Sequence, residues 1–171
     1  MKPIIFLDVD GVLNSSAWFD SFGAPDVLDK AMKEADDWRF THIDPAAVAR
    51  LRRIVLEADA EIVVSSTWRY GNGVPRLVDL LVARGFPEAP QRIIGETPDL
   101  GRLGRVPRCG EILTWLQHSG QRPFVILDDD TDANVHGHFV HTSYADGLTD
   151  RHADSAIQML KGQASVSATF V

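Results

Sequence analysis

Two aspartates stand at the end of an apolar run near the start of the chain, in the stretch IIFLDVDGVLN. Asp8 and Asp10 are separated by one residue, and Gly11 follows them. Because alternate residues of a strand point to the same side, these two carboxylates would lie close together and repel each other. The spacing therefore predicts either a bound cation at the strand end or a chemistry that uses two carboxylates.

Two further apolar runs also end at polar groups. VVSSTWR places Ser65 and Ser66 after the second run, and VILDDDTD places Asp128 and Asp129 after a later one. If all three runs are parallel strands, these groups meet at one edge of the sheet. A cluster of carboxylates without cysteine or histidine favours a hard cation such as Mg²⁺, and Mg²⁺ in turn favours phosphate substrates.

The elements that would position these groups alternate between short β-type runs and helical patterns, which is typical of a parallel sheet flanked by helices. Strands are predicted at residues 4–8, 61–65, 92–95, 124–128 and 139–142. Asp44 with Pro45 begins one predicted helix, Gly85 and Gly120 end two more, and Thr149 caps the last. We therefore expect an α/β fold, a Rossmann-like three-layer α/β/α sandwich with a mainly parallel sheet.

The length of 171 residues fits one compact domain, residues 1–160, with a tail at 161–171 that lacks a helical pattern. Residues 15–40 form too long a connection for an ordinary loop, so they predict a small cap or lid over the carboxyl edge of the sheet. The formal net charge of -7 argues against a surface that coats nucleic acid. A single cysteine excludes an intrachain disulfide, and the early acidic residues argue against a signal peptide or membrane span, so we expect a cytoplasmic protein.

The quoted motifs resemble those of a known family. DVDGVLN resembles the first signature of the haloacid dehalogenase (HAD) superfamily, and IVVSS, an arginine upstream of the last motif, and VILDDD resemble its second, third and fourth signatures in order. More narrowly, SSTWR, TPDLGR, the segment 108–116 and VILDD are similar to compact phosphatase domains associated with bacterial and phage RNA-repair proteins. The resemblance implies a Mg²⁺-dependent phosphomonoesterase that forms an aspartyl-phosphate, acting on nucleotide or RNA or DNA phosphate ends. A phosphatase of small metabolites and a non-catalytic phosphate- or metal-binding module are the alternatives.

The resemblance also implies a role for each residue of the first two motifs. Asp8 would be the nucleophile, and Asp10 would protonate the leaving oxygen and then activate water. Gly11 would keep the turn open so that substrate can approach the backbone. Ser65 would hold a phosphoryl oxygen, with Ser66 as the competing assignment.

The third signature needs one cation near the phosphate. Arg102, Arg105 and Arg108 all lie in the right interval, and Arg108 is preferred because it begins the helix that precedes the fourth strand. Arg105 is the alternative. Trp68 and Arg69 are left out of the catalytic set, because Trp68 fits a packing role and Arg69 fits either a phosphate ligand or the partner of a surface acid.

The metal site that the resemblance implies consists of Asp8, the backbone carbonyl of Asp10, Asp128 and Asp129. Which of the last two binds the metal directly is left open; Asp132 is an outer candidate, and Asp130 is expected to be solvated. The stretch HGHFVH at residues 136–141 lacks a cysteine or a suitably spaced carboxylate, so it predicts solvent-facing strand histidines rather than a transition-metal site.

Overall fold

A five-stranded parallel sheet forms the centre of the protein in the computed structural model. The structure describes residues 1–22, 42–71, 73–101, 106–120 and 122–169, with side chains up to residue 163. The strands are β1 (Ile4–Leu7), β2 (Glu61–Val64), β3 (Ile93–Glu96), β4 (Phe124–Asp128) and β5 (Phe139–His141). Their order is β3-β2-β1-β4-β5, and every neighbouring pair is parallel. The predicted α/β fold is confirmed.

Helices flank these strands, and three of those within the described residues begin where the sequence predicts. They are α1 (Ser16–Asp20), α2 (Pro45–Ala58), α3 (Gly73–Ala83), α4 (Ala89–Arg92), α5 (Arg108–Ser119) and α6 (Asp150–Thr169). Asp44 accepts a hydrogen bond from the Ala46 amide at 2.8 Å, so it caps α2. Thr149 Oγ1 accepts from the His152 amide at 3.4 Å at the start of α6. Both predicted caps are confirmed.

The two faces of the sheet bury separate cores, because successive residues of a strand point to opposite sides. Ile5 and Leu7 belong to the larger core, which also contains buried residues of α2, α3 and α6. Ile4 and Phe6 belong to the smaller core, together with Ile112 of α5. Asp8 continues the alternation of Ile4 and Phe6, so its side chain lies on the face that α5 covers.

The predicted lid is described only in part. Ser15 accepts from the Trp18 amide at 3.1 Å and so caps the short helix α1, whereas residues 23–40 lie outside the described residues. The Asp44 amide donates to the Leu13 carbonyl at 2.8 Å, so the residue that caps α2 lies beside the chain just before α1. The Ser16 amide donates to the Tyr144 carbonyl at 2.8 Å, which ties α1 to the loop after β5.

Two predictions near the C-terminus are wrong. The expected tail at 161–171 is a continuation of α6 as far as Thr169. The histidines are not a row of solvent-facing strand residues, because β5 contains only His141, which is exposed, while His138 stacks on Phe124 with ring centroids 3.9 Å apart. Within the described ranges, no helix has the length and apolar character needed to cross a membrane.

Candidate active site

Three predicted site residues lie side by side at the carboxyl edge of the sheet. The last paired residues of β1, β2 and β4 are in register, and the next positions are Asp8, Ser65 and Asp128. The Ser65 amide donates to the Leu7 carbonyl at 2.8 Å, and the Asp8 amide donates to the Leu127 carbonyl at 3.0 Å. The three side chains therefore form a row at the edge where open α/β sheets bind ligands.

Three carboxylates form a compact cluster at this edge. Asp8, Asp128 and Asp129 each offer one oxygen, and these oxygens lie within 4.8 Å of one another. Asp8 is 8% exposed and Asp128 is 3% exposed. Three oxygen ligands at this separation fit a hard divalent cation, which would replace the missing solvation. The structure thus brings together three of the four residues predicted for the metal site.

Burial makes this cluster unfavourable when no cation is bound. It raises the pKa of Asp8 to about 6, although a hydrogen bond from Ser66 and the charge of Arg108 act in the opposite direction. It raises the pKa of Asp128 to about 8, and the nearby charge of Asp8 adds to that effect. The pKa of Asp129 is also raised by burial. Without a cation, the fully ionised form of this cluster is therefore disfavoured near neutral pH.

Gly11 allows the acidic turn to pack against this cluster. Its φ angle is +68°, a conformation that glycine adopts without strain. A Cβ atom at position 11 would overlap the carboxyl group of Asp129. The position therefore needs glycine both for its backbone conformation and for the close approach of a cluster carboxylate.

The Asp10 side chain lies outside the three-carboxylate cluster and has its own partners. Its Oδ1 accepts from Asn14 Nδ2 at 2.8 Å, and its Oδ2 accepts from Trp68 Nε1 at 2.9 Å. The predicted contribution of Asp10 to the metal site is through its backbone carbonyl, which stays a prediction. Asn14 and Trp68 are absent from the predicted site, although both belong to the quoted motifs DVDGVLN and SSTWR.

The two serines after β2 have different surroundings. Ser65 is 1% exposed, and its Oγ has no hydrogen-bond partner within the described part of the chain. The Ser66 side chain hydrogen-bonds Asp8, which lowers the pKa of that carboxyl against the larger effect of burial. Ser66 Oγ also accepts from the Trp68 amide at 3.3 Å. Among the described residues, Ser65 is thus a buried hydroxyl without a partner, whereas Ser66 contacts the predicted nucleophile.

Arg108 is the first residue of α5, and its charge acts on the same cluster. Against the dominant effect of burial, its charge acts to lower the pKa of both Asp8 and Asp128. The Arg108 backbone amide donates to Asp132 Oδ2 at 3.2 Å. Asp132, predicted as an outer candidate for the metal site, therefore contacts the first residue of α5. The alternatives Arg102 and Arg105 lie outside the described residues.

A buried ion pair joins the turn after β2 to helix α5. Arg69 and Glu111 are each 4% exposed, and Arg69 Nη2 lies 2.9 Å from Glu111 Oε2. Arg69 Nη1 also donates to the Ser66 carbonyl at 3.0 Å. Glu111 Oε1 accepts from the amides of Leu100 and Gly101 at 3.0 and 3.3 Å. Arg69 is therefore paired with a buried acid of α5, and neither of the two roles considered for it from the sequence describes this contact.

An all-parallel α/β sheet with clustered aspartates at the carboxyl ends of its central strands has the architecture expected of a HAD-type domain. The sequence model for the family described as the HAD domain in Swiss Army Knife RNA repair proteins matches residues 4–153. The chain therefore belongs to this family of the HAD superfamily, whose members are generally phosphatases and other hydrolases, and the predicted membership is confirmed. Searches of curated proteins and of solved structures gave no match.

Proposed function

We propose that the protein is a Mg²⁺-dependent phosphatase that hydrolyses phosphate monoesters at nucleotide or polynucleotide ends through an aspartyl-phosphate. The observation that carries this proposal is that the aspartates have two different kinds of surroundings. Asp8, Asp128 and Asp129 place oxygens within 4.8 Å of one another, while the neighbouring Asp10 carboxylate is held separately by two N–H donors. This arrangement supplies one carboxylate for attack and another for proton transfer.

The donor set fits Mg²⁺, because three carboxylates supply hard oxygen ligands and buried charge that needs a cation. Asp8, Asp128 and Asp129 would hold the ion, with the backbone carbonyl of Asp10 as a further ligand. When bound, Mg²⁺ offsets the negative charge of the carboxylates and of the phosphoryl group.

Asp8 and Asp10 divide the reaction into two steps. In the first, an Asp8 carboxylate oxygen forms a bond to phosphorus, the bond from phosphorus to the leaving oxygen breaks, and the Asp10 carboxyl gives its proton to that oxygen. In the second, the Asp10 carboxylate takes a proton from water, the water oxygen attacks phosphorus, and the bond to Asp8 breaks. Phosphate is released and both aspartates return to their starting states.

Two further residues suit the phosphoryl group. Ser65 Oγ is buried and has no partner among the described residues, so a phosphoryl oxygen would satisfy its hydrogen bond. Arg108 places a positive charge near Asp8 and Asp128 and would offset charge on the transferring group.

The test of the activity is Asp8→Asn, which keeps the side-chain shape and removes the nucleophile. We expect hydrolysis of p-nitrophenyl phosphate to fall below about one per cent of the parent rate, because neither the carbonyl nor the amide of asparagine replaces the carboxylate as nucleophile. Asp79→Asn is the matched control, since Asp79 is an exposed acid on α3, which carries no residue of the site. Full activity of Asp8→Asn, or full parental activity in excess chelator, would refute the proposal.

The choice of substrate rests on the family description, which names RNA repair. We expect kcat/KM to be higher for oligonucleotides with phosphate ends than for mononucleotides or sugar phosphates. The comparison should use one enzyme preparation and one Mg²⁺ concentration, with phosphate release as the measurement. A preference for sugar phosphates would instead favour the small-metabolite alternative.

A further inference from the structure

We propose that Trp68 and Asn14 are positioning residues that fix the Asp10 carboxylate for proton transfer. This inference rests on the proposed function, in which Asp10 serves as acid and then as base. It assigns a role to Trp68, which sequence reasoning treated as a packing residue.

The contacts of Asp10 hold its carboxylate plane from two directions. Asn14, four residues later in the same turn, donates to one oxygen at 2.8 Å. Trp68, which is 58 positions away on the turn after β2, donates to the other oxygen at 2.9 Å. Rotation about the Cβ–Cγ bond would break both hydrogen bonds, so the lone pairs that remain free keep one direction.

Both donors are themselves fixed. Asn14 is 1% exposed, and its Oδ1 accepts from the Gly11 amide at 2.9 Å. Because an amide N–H can only donate, the oxygen of Asn14 must face Gly11 and its NH₂ group must face Asp10. The Trp68 ring packs against the larger core, and the Trp68 backbone amide is bound by Ser66 Oγ. An indole N–H is a donor only, so it suits a carboxylate partner.

The consequence for catalysis follows from the sensitivity of proton transfer to geometry. A general acid or base contributes about 10²–10⁴-fold to rate. A displacement of about 1 Å can cost roughly 10²-fold. Neither Trp68 nor Asn14 belongs to the three-carboxylate cluster, so their loss should affect proton transfer without removing a metal ligand.

The experiment is Trp68→Phe, which keeps an aromatic ring and removes the N–H. For a nucleoside 5′-phosphate, whose alkoxide leaving group needs a proton, we expect kcat/KM to fall about 10–100-fold. For p-nitrophenyl phosphate, whose phenolate leaves without protonation, we expect kcat/KM within about threefold of the parent value. Equal losses with both substrates would overturn the proposal, because a general structural defect does not distinguish leaving groups.

Two controls separate positioning from packing. Trp115→Phe makes the same change at a tryptophan that packs edge-on against Phe6 at 5.5 Å, and it should leave the ratio of the two kcat/KM values unchanged. The double variant Asp10→Asn/Trp68→Phe should be no slower than Asp10→Asn alone, because Trp68 acts through Asp10. A further loss in the double variant would contradict the assignment.

An NMR measurement of the metal-free protein tests the contact without relying on activity. Trp68→Phe identifies the Trp68 indole N–H signal by its disappearance, and Asp10→Asn should shift that signal and speed its exchange with solvent. An unchanged signal in Asp10→Asn would refute the hydrogen bond. A parent that hydrolyses no phosphate monoester would refute the proposed function and with it the role in proton transfer, whereas an active parent with an unaffected Trp68→Phe variant would refute positioning alone.

Discussion

The replacement of Asp128 by asparagine should make the metal-free protein more stable at neutral pH. Burial, together with the smaller effect of the charge of Asp8, raises the pKa of Asp128 to about 8. In the unfolded chain this carboxyl titrates near its ordinary value of about 3.9. As the pH rises from about 4 to about 8, the unfolded state loses the proton first, so the free energy of unfolding of the parent falls over that window.

The size of the effect follows from the pKa difference. The interval from the ordinary value to pH 7 is about three units, and each unit corresponds to about 1.4 kcal/mol, so the upper bound is about 4 kcal/mol. Asparagine keeps the oxygen that accepts from the Asp130 amide at 2.9 Å. We therefore expect a gain of about 1–3 kcal/mol at pH 7, which for a chain of this length raises Tm by about 2–12 °C.

The assay is thermal unfolding of both proteins at about pH 5 and about pH 8, with chelator or with millimolar Mg²⁺. The advantage of Asp128→Asn should be larger at the higher pH. Mg²⁺ should stabilise the parent by about 2.7 kcal/mol at 100 times its dissociation constant, and the variant should lose most of that gain. Asp79→Asn, at an exposed acid on α3, is the control and should behave like the parent. A variant less stable than the parent at both pH values, or a parent indifferent to Mg²⁺, would refute the reasoning.

Two other substitutions test the supports of the site. Glu111→Ala leaves the buried Arg69 charge without its anion. We expect the free energy of unfolding, measured with urea, to fall by about 3–5 kcal/mol. A loss below about 1 kcal/mol would mean that solvent reaches the pair. Gly11→Ala places a Cβ against the carboxyl group of Asp129, so it should reduce the Mg²⁺-dependent rise in Tm; an undiminished rise would show that the turn moves aside.

The fold could be predicted because its signals are local. Parallel strands buried on both faces read as continuous apolar runs, and β1, β2 and β4 are such runs. Helix caps are also local, since Asp44 and Thr149 bond to amides two and three residues later. The last turns of α6 have no regularly spaced apolar residues, so a helix could not be predicted there. Gln163 anchors them instead, by bonding both the amide and the carbonyl of Phe124 at 3.0 Å, a contact between residues 39 apart.

The candidate site likewise has one part that could be predicted from local sequence signals and one part that could not. The acids at strand ends could be predicted to converge, because parallel strands present their carboxyl ends at one edge. The hydrogen bond of Trp68 to Asp10 and the pairing of Arg69 with Glu111 join residues 58 and 42 positions apart, and they depend on how loops fold over that edge. No period or spacing in the sequence encodes such contacts, so Trp68 and Arg69 had no assigned catalytic role.

The different surroundings of Asp8 and Asp10 give a reason for two aspartates at a spacing of two. Asp8 lies in a cluster of buried carboxylates, so its charge becomes favourable when a cation is bound. The two oxygens of Asp10 each accept from a neutral N–H, so its carboxylate is held without a share of that cation. Under the proposed function, the first arrangement suits a nucleophile that must stay ionised beside a phosphoryl group. The second suits a group that must keep one orientation while it transfers a proton in each turnover.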